Sequence, residues 1–363
     1  MPRRTPYVDS DFFGMPPGTK ASPLGGGRNS QVFLMDIPDR DPLVFKRYFV
    51  DTSDKRDRQG AEARALRFLA EAGVRQSPRL LALDKDRQAS MLSYVRGDKI
   101  AEPTEHHMDE SARFLVRLIE LSASEEAAKT GFTSASEAFF SVEGVAENIR
   151  VRLARLDSVD DECPLCAELS NFRDNELRPA LDRNLEACAR LLEAADMRMD
   201  REIPESWRIL SPSDFGLHNV LVRPDGTLAF FDYEYFGWDD PSKTLADFCL
   251  HPAMNLSGPL QRRFLEGVLP ALIRIGYDPR RAAPLFPLFG LKWCCILLNE
   301  FVPRDMARRA FAIAGVEAEP QVEKEAVDQV LTRQLDKASA LLHSLDDRAA
   351  VFAHHIDTLA PRP

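Results

Sequence analysis

The sequence predicts an α+β fold of two lobes, with a small β-rich N-lobe and a larger, mainly helical C-lobe. Before about residue 97, short apolar and β-branched runs alternate with turn residues and enclose one helical stretch, a pattern typical of strands around a single helix. After residue 97 the apolar spacing is mostly helical, and one predicted β-hairpin interrupts it. The chain has 363 residues, 44% of them hydrophobic, which is enough for a large core and more than one domain-sized unit.

The chain is predicted to divide into three parts. Residues 1–22, rich in proline, glycine and charge, form a lead-in segment, residues 23–97 form the N-lobe, and residues 98–363 form the C-lobe. Within the C-lobe, residues 207–240 contain the hairpin, and about 108–205 form a helical insertion bounded by breaks at proline and glycine. We expect the insertion to help shape a binding pocket.

The N-lobe elements follow from apolar runs and turn residues. A glycine-rich turn leads into a first strand that ends near Met35, and residues 43–49 form a second strand. A helix fits about 54–72, because Gly73 is the residue type that commonly follows a helix end. Two further short strands are predicted at 79–83 and 89–95. In the C-lobe, the stretch after Pro320 has apolar residues at helical spacing and predicts an amphipathic helix.

Composition and charge argue against several broad classes of protein. The net charge of −10 and the pI near 5.3 disfavour general binding to nucleic acids or anionic membranes. No apolar run follows Met1, so we expect no secretory signal and a cytoplasmic protein. The six cysteines form no regular framework and are expected to be reduced thiols. The most apolar stretch, 285–302, contains Lys292 and Glu300 and is expected to be a buried core helix rather than a membrane span.

The most informative motif is Asp214-Phe-Gly-Leu-His-Asn219, which leads directly into the predicted hairpin. Two apolar and β-branched runs, 219–223 and 227–232, are joined by Pro224-Asp-Gly226. Proline presets the first turn position and glycine accepts a positive φ, so the two runs are predicted to pair as antiparallel strands.

This hairpin predicts a cluster of metal-ligating side chains. A turn of three or four residues puts Asn219 opposite Phe231 or Asp232. Cross-strand neighbours lie roughly 5 Å apart, so the Asn219 amide and the Asp232 carboxylate are predicted to share one cation. Asp214 lies one short loop upstream and is expected to face the same cation. Together these residues outline a phosphoryl-transfer centre.

A lysine and a glutamate in the N-lobe form a second candidate pair. Lys46 shares its strand face with Val44 and Tyr48, and an ammonium on such a face costs several kcal/mol unless it is paired. Glu62 heads a helical stripe with leucines at i+4 and i+7, so its carboxylate also points inward. We predict that they pair as the equivalent residues of kinases do, where the lysine holds the nucleotide phosphates. The alternatives in a shifted register are Arg47, Arg64 and Glu71.

Three consecutive glycines precede the first predicted strand. Gly25, Gly26 and Gly27 lie between apolar runs, and glycine lets backbone N–H groups approach a phosphate closely. They do not form a Gly-x-Gly-x-x-Gly pattern. We predict that they form a loop over the phosphates of a nucleotide.

In order along the chain, these motifs resemble the aminoglycoside phosphotransferase and choline kinase branch of the protein-kinase superfamily. The resemblance covers about 24–97 and 207–252 and implies a two-lobed protein-kinase-like fold. In this branch a plain Asp-x-Glu or Asp-x-Asp replaces the Asp-Phe-Gly of protein kinases. Asp232-Tyr-Glu234 therefore corresponds to the metal side, and Asp214-Phe-Gly216 begins the catalytic loop.

The resemblance implies a role for each motif. Asp214 is the expected catalytic residue, which accepts or orients the proton of the acceptor hydroxyl. Asn219 and Asp232 are the expected Mg²⁺ ligands, with Glu234 as a further metal contact. Backbone groups around Ser93 and Val95 are expected to bind the adenine. The residues expected to hold the nucleotide are Gly25, Gly26, Gly27, Lys46, Glu62, Ser93 and Val95.

The chain departs from the family pattern beside the catalytic aspartate. Pro212 and Ser213 occupy the positions where family members usually carry His-Gly, and Gly216 occupies the position of a common histidine. His218, two positions later, is expected to orient the loop or to touch the substrate rather than to act as the base. These changes alter the hydrogen bonds that support the loop.

Aromatic and acidic residues follow the expected metal ligands. They are open to two interpretations: they cradle a quaternary ammonium, a sugar or an amine, or they pack and anchor the segment. These residues are Tyr235, Phe236, Trp238, Asp239 and Asp240. Asp247 resembles a structural aspartate of the family.

The sequence thus predicts an ATP-dependent small-molecule kinase with ATP and Mg²⁺ as cofactors. Its acceptor is a hydroxyl of a sugar, an amino alcohol or an aminoglycoside-like compound, and no nucleic-acid or membrane partner is expected. A catalytically inactive nucleotide-binding module is the alternative. A protein kinase is disfavoured because no activation-loop pattern follows Asp232. The acceptor, the choice between ATP and GTP, and the oligomeric state stay open.

Overall fold

The computed structural model of the chain describes residues 12–24, 30–50, 54, 56–159, 165–302 and 320–360. Within these ranges the predicted α+β fold of two lobes is confirmed: an antiparallel sheet and one helix are followed by a mainly helical lobe. The predicted loop of Gly25, Gly26 and Gly27 lies outside the described residues.

The N-lobe is built on a five-stranded antiparallel sheet with the strand order β1-β2-β3-β5-β4. Four strands agree with the predicted ones within a few residues. The exception is β1, which lies partly in the predicted lead-in segment 1–22 and pairs with β2 at the sheet edge. Its mixed polar sequence carries no apolar alternation, so its strand character comes from this pairing. The strands are β1 (Lys20–Pro23), β2 (Ser30–Asp36), β3 (Leu43–Tyr48), β4 (Leu80–Asp84) and β5 (Ala89–Ser93).

Helix α1 (Arg58–Glu71) packs the N-lobe sheet onto the rest of the protein. The Asp57 side chain caps its first turn by accepting a hydrogen bond from the Gly60 N–H. Gly73 ends it in the left-handed region with a φ of 74°, as predicted. The inner face of α1 joins the main hydrophobic core, whereas the other face of the sheet has a small core of its own around Phe45 and Met91.

The C-lobe contains ten of the helices that the structure describes. A π-helical turn, Arg173–Leu177, connects α5 to α6 without a break. The helices are α2 (Glu105–Ser122), α3 (Glu125–Lys129), α4 (Val142–Leu156), α5 (Cys166–Phe172), α6 (Arg178–Ala194), α7 (Pro241–Leu250), α8 (Gly258–Arg274), α9 (Ala282–Leu297), α10 (Pro320–His343) and α11 (Leu345–Leu359).

The apolar segment predicted as a core helix is α9, which contacts α4, α6, α7, α10 and α11. By length and composition alone, Pro279–Phe301 could cross a membrane, but 72% of its apolar window is buried inside the protein, as in a core helix. Its one lysine, Lys292, bonds a buried aspartate on α7. Its two adjacent cysteines are buried free thiols.

Short strands between the helices carry the predicted hairpin. Strands β8 and β9 form it, and β6, in the connection between the lobes, pairs with its outer edge. Strand β7 lies just before the predicted catalytic loop, 214–219, and pairs with β10. Strand β10 follows residues 232–234, which carry the expected metal ligands and are called the metal segment below. The strands are β6 (Asp98–Lys99), β7 (Ile209–Ser211), β8 (Val220–Val222), β9 (Leu228–Phe230) and β10 (Gly237–Asp239).

A cluster of packed aromatic rings anchors the predicted catalytic loop in the C-lobe core. Phe215, which follows Asp214 directly, packs against Phe114, Phe230 and Phe248 with ring centroids 5.2–6.0 Å apart. Aromatic pairs at such distances contribute beyond the area that they bury. The core thereby fixes the backbone on which Asp214 stands.

Close packing at Gly237 gives a first prediction. Strand β10 runs against the backbone of 133–135, and a Cβ on Gly237 would contact the Thr133 carbonyl oxygen and lie 2.6 Å from the Ala135 nitrogen. Because backbone cannot rotate away as a side chain can, we expect Gly237→Ala to lower the free energy of unfolding by about 1–3 kcal/mol.

Chemical denaturation measures this effect. Gly258→Ala is the matched control, since the nearest atom to its added Cβ is a side-chain carbon at 3.4 Å. Equal stability of the two variants would contradict the close packing of β10.

Candidate active site

The hairpin brings Asn219 and Asp232 together, as predicted. Asn219 ends a 3₁₀ turn before β8, and its carbonyl accepts a hydrogen bond from the Phe231 N–H at 3.1 Å. Asn219 therefore lies opposite Phe231, one of the two predicted registers. Asp232 follows with a φ of 68°, in the left-handed region that costs a residue with a Cβ free energy. This turn of the chain brings the Asp232 side chain to the same cavity as Asn219.

The Asn219 side chain bonds back to Asp214, so it links the two ends of the predicted catalytic loop. The Asn219 Nδ2 donates to the Asp214 carbonyl oxygen at 3.0 Å and lies 3.4 Å from the Asp214 Oδ2. Because a carbonyl only accepts, the Asn219 amide nitrogen must face Asp214. The amide oxygen is then the atom that Asn219 offers to a cation.

The predicted pair between Lys46 and Glu62 is present. The Lys46 Nζ lies 2.9 Å from the Glu62 Oε2, and the two residues are 5% and 1% exposed. Tyr48 donates a hydrogen bond of 2.6 Å to the same Glu62 oxygen, and the Tyr233 N–H donates to the other at 3.1 Å. Glu62 thus connects strand β3 of the N-lobe to the metal segment of the C-lobe.

Lys46 also reaches the metal segment directly. Its Nζ lies 2.6 Å from the Asp232 Oδ1 and 3.6 Å from the Glu234 Oε2. One ammonium therefore faces three carboxylates, counting Glu62. Burial and the negative charges of the other carboxylates raise the pKa of Asp232, although Lys46 opposes this. Burial and Asp232 likewise raise the pKa of Glu234.

This excess of negative charge is suited to a cation. Two of the donors in the cavity are the Asp232 carboxylate and the Asn219 amide oxygen, and oxygen ligands of this kind are those that Mg²⁺ prefers. The residues present therefore fit a divalent cation with a nucleotide phosphate. A bound cation would offset the repulsion that raises the pKa of Asp232.

Glu234 is placed differently from the other expected metal ligands. It is 3% exposed, accepts a 2.9 Å hydrogen bond from the Ser30 hydroxyl, and is not among the residues that line the cavity. The structure thus does not bring Glu234 together with Asn219 and Asp232 at the cavity surface. Its geometry points to a second contact between the lobes, and its metal role stays a prediction.

Two histidines support the Asp214 carboxylate. The His218 Nε2 lies 3.2 Å and the His251 Nε2 3.6 Å from the Asp214 Oδ1. The two rings stack with centroids 3.9 Å apart. Although burial opposes it, the two histidines hold the pKa of Asp214 well below its usual range. Sequence reasoning identified His218 but missed His251, which lies 37 positions after Asp214 in the segment that follows α7.

The expected adenine-binding segment lies at the end of β5. The Ser93 N–H donates to the Arg79 carbonyl oxygen at 2.9 Å, and the Ser93 hydroxyl accepts from the Arg79 N–H at 2.8 Å. The Ser93 N–H thus already bonds the residue that precedes β4. Val95 lies beyond the strand end and is half-buried. Binding of adenine by Ser93 and Val95 stays a prediction.

On the C-lobe side of Asp214, two buried lysines, Lys243 and Lys292, form ion pairs with buried aspartates. The Lys243 Nζ lies 3.0 Å from the Ser213 hydroxyl, 2.8 Å from an Asp239 oxygen and 3.4 Å from an Asp247 oxygen. The Lys292 Nζ donates to both oxygens of Asp247, at 2.9 and 2.8 Å. Ser213 has a φ of 66°, and its hydroxyl thereby joins the catalytic loop to this network.

Of the aromatic and acidic residues after Asp232, three anchor the segment, whereas Tyr235 lines the cavity. Phe236 is buried against Phe132, Asp239 is bonded to Lys243, and Asp240 to Arg281 at 3.0 Å. These two acids are fully buried and already neutralised. Their expected alternative role, binding an amine of the acceptor, is therefore not supported by their placement.

A single cavity of about 470 Å³ connects these groups. Asp214, Asn219 and Asp232 line it together with His218, His251 and the buried lysines of the C-lobe. Lys46 lies directly behind Asp232. The structure thus brings together most of the predicted site residues that it describes.

Comparisons with known proteins give one family. The model of the phosphotransferase enzyme family matches residues 20–285 of the chain, a range that includes Lys46, Glu62, Asp214, Asn219 and Asp232. No curated protein sequence matches the chain.

Solved structures with the same fold include a phosphotransferase, a kinase and a kinase family protein. A spectinomycin phosphotransferase, crystallised with ADP and spectinomycin, is 13% identical with a TM-score of 0.57, over 89% of this chain and 92% of that one. An ethanolamine kinase of Plasmodium vivax is 12% identical with a TM-score of 0.56, over 85% of both chains. A choline/ethanolamine kinase family protein of Mesorhizobium loti is 17% identical with a TM-score of 0.53, over 93% and 92%.

Proposed function

Because the chain belongs to the phosphotransferase enzyme family, we propose that it is an ATP-dependent kinase that transfers the γ-phosphate to a hydroxyl group of a small molecule. The observation that carries this proposal is the convergence of Asp214, Asn219 and Asp232 on one cavity, with Lys46 paired behind them. These are the groups that phosphoryl transfer requires: a proton acceptor, metal ligands and a cation for the phosphates.

The nucleotide is proposed to bind between the lobes. Lys46, whose ammonium is held by Glu62, would bind the α- and β-phosphates. Mg²⁺, held by Asn219 and Asp232, would offset the charge that develops on the transferred group. Support for a nucleotide also comes from the structural neighbour that was crystallised with ADP.

Asp214 is proposed to act on the acceptor. It would hydrogen-bond the acceptor hydroxyl and take its proton as the oxygen attacks the γ-phosphorus in line. The bond from the γ-phosphorus to the ADP oxygen breaks as the bond to the acceptor oxygen forms, so the products are a phosphate monoester and ADP. A carboxylate with a lowered pKa is ionised at neutral pH and is ready to accept this hydrogen bond.

A screen for Mg²⁺-dependent formation of ADP tests the proposal. The protein is incubated with ATP and hydroxyl compounds that span sugars, amino alcohols, aminoglycosides and hydroxy acids, and each is compared with the reaction without acceptor. Acceptor-stimulated turnover is expected with at least one compound. ATP binding without turnover on any of them would instead favour an inactive nucleotide-binding module.

His251 is proposed to be a positioning residue for Asp214, and this gives a prediction on the pH dependence. His251→Phe keeps a ring to stack on His218 but removes the nitrogen that faces Asp214. Since the two histidines lower the pKa of Asp214, the His251→Phe substitution should raise that pKa. The loss of kcat on the acid side should therefore begin at a higher pH, while the KM for ATP stays unchanged.

The pH–rate profile of kcat measures this shift. Rescue by His251→Gln, whose amide can donate a hydrogen bond to Asp214, would support positioning over bulk packing. An unshifted acid limb in His251→Phe would show that His251 does not act through Asp214.

A further inference from the structure

The cavity continues past Asp214 into a basic end that the phosphoryl-transfer chemistry does not use. Helices α4, α7, α9 and α10 surround it. Five basic residues and three acids line this end. The basic residues are Arg152, Arg155, Lys243, Lys292 and Lys337, and the acids are Glu137, Asp247 and Glu300. The charge is opposite in sign to that of the chain, which carries a net −10.

The floor of this end is built from buried cations that are each offset by an acid. The Arg152 Nη2 lies 2.7 Å from a Glu137 oxygen, while Lys243 and Lys292 share Asp247. Asp239 bonds Lys243 from behind. These ion pairs hold the charged groups of the floor in place.

Among the residues that the structure describes, Lys292 has one N–H donor without a hydrogen-bond acceptor. An ammonium has three N–H donors, and Lys292 uses two of them on the Asp247 oxygens. Its side chain also lines the cavity. Burial lowers the pKa of Lys292 even though Asp247 opposes this, and the nearby Lys243 adds to the lowering. An additional negative charge in the cavity would therefore stabilise this ammonium.

The rim of the basic end carries charges that the floor does not offset. Arg155 on α4 and Lys337 on α10 are exposed, and neither forms an ion pair with any residue in the part of the chain that the structure describes. Even with Asp239 counted, basic residues outnumber acids here. The surplus positive charge therefore lies at the rim of the cavity, where it can attract and hold a negatively charged ligand.

The basic end lies within reach of a small molecule bound at Asp214. Ser213, the neighbour of Asp214, bonds Lys243, which contacts Asp247, which bonds Lys292. On the other wall, His251 lies beside Asp214 and packs edge-on against Trp293 at 4.7 Å. A ligand whose hydroxyl meets Asp214 would thus place its other end near Lys292.

We propose that the acceptor carries an oxyanion, a carboxylate or a phosphate, on the side away from its reacting hydroxyl, and that Lys292, Arg155 and Lys337 bind it. This inference rests on the proposed function. A cationic acceptor, such as an amino sugar or an amino alcohol, would put like charges together in a confined cavity. Asp239 and Asp240, the acids that the sequence suggested for an amine, are buried and paired. Among the acids that line this end, Glu137 and Asp247 are also paired with cations.

Matched sets of ligands test the charge of the acceptor. Each set holds a hydroxy acid or a sugar phosphate, its neutral polyol or sugar, and its amino counterpart, for instance gluconate, glucitol and glucosamine. Binding is measured by calorimetry on the full chain saturated with Mg²⁺ and a non-hydrolysable ATP analogue, and turnover is measured with Mg-ATP. The anionic member is expected to bind at least tenfold more tightly than its counterparts in one or more sets, and added salt should weaken this binding. Carboxylates and phosphates form separate sets, so the assay also identifies the oxyanion.

Single substitutions at the rim test the residues. Arg155→Gln and Lys337→Gln should each weaken binding of the anionic ligand by about threefold to tenfold, with the corresponding rise in KM and little change in kcat. Arg150→Gln on α4 and Arg333→Gln on α10 are matched controls, since neither residue lines the cavity. They should leave binding unchanged.

The outcomes separate this inference from the proposed function. Three results would each overturn the inference. The neutral or cationic members could bind more tightly or turn over faster, no anionic member could bind, or the rim variants could bind like the controls. Turnover of neutral or cationic members would at the same time support phosphotransfer. Anion binding at the rim without turnover of any compound would support the inference and count against the proposed function.

Discussion

Asp214→Asn should reduce the rate of phosphoryl transfer by about 10²–10⁴-fold while leaving the fold and nucleotide binding intact. Asparagine keeps the shape of the side chain and its contact with Asn219, but it cannot accept the hydroxyl proton. The backbone at this position is fixed by Phe215 in the aromatic core, so the substitution should not move the loop. Steady-state kinetics with the best acceptor from the screen measure kcat, and calorimetry measures nucleotide binding.

Asp225→Asn is the control for this prediction. Asp225 lies in the turn of the same hairpin, where it accepts hydrogen bonds from Thr227, and it does not line the cavity. We expect this variant to keep wild-type activity. Full activity of Asp214→Asn would contradict the assignment of the catalytic residue.

Asp232→Asn should abolish Mg²⁺-dependent transfer without destabilising the metal-free protein. The pKa of Asp232 is raised by burial and by neighbouring carboxylates, against the pull of Lys46. An acid whose pKa is higher in the folded state than in the unfolded state costs stability once the pH rises above its unfolded value. Replacing the charge at neutral pH should therefore leave the melting temperature unchanged or raise it.

Thermal unfolding with and without Mg²⁺ and an ATP analogue measures both effects. The wild-type protein should gain stability from metal and nucleotide together by mass action, and Asp232→Asn should lose most of this gain, whereas Asp225→Asn should keep it. A large fall in the melting temperature of metal-free Asp232→Asn would mean that Asp232 is a structural partner of Lys46 rather than a metal ligand.

Local patterns were sufficient to predict the hairpin, the pair between Lys46 and Glu62, and the two-lobed fold. The turn between β8 and β9 fixes the register of Asn219 through residues only a few positions apart. The inward direction of Lys46 and Glu62 follows from the periods of a strand and a helix. Such features depend on short-range geometry, which the order of residues determines directly.

Features that depend on the packing of distant segments were not predictable in this way. Ser30 and Glu234 meet across 204 positions, and β1 is a strand because an edge of the sheet accepts it. His251 reaches Asp214 only because α7 ends beside the catalytic loop. Helical spacing identifies an apolar face but not its partner, so the basic end of the cavity, built from four helices, was not visible in the sequence.

The proposal that this chain phosphorylates a hydroxyl group is tested most directly by identifying the product. The protein is incubated with Mg-ATP and the acceptor pool, and phosphorus NMR and mass spectrometry follow the γ-phosphate. We predict a new phosphate monoester on an acceptor hydroxyl, in an amount equal to the ADP formed, that is absent without Mg²⁺ and absent with Asp214→Asn. Binding of ATP with no phosphorylated acceptor, or release of the γ-phosphate only as inorganic phosphate, would contradict the proposal.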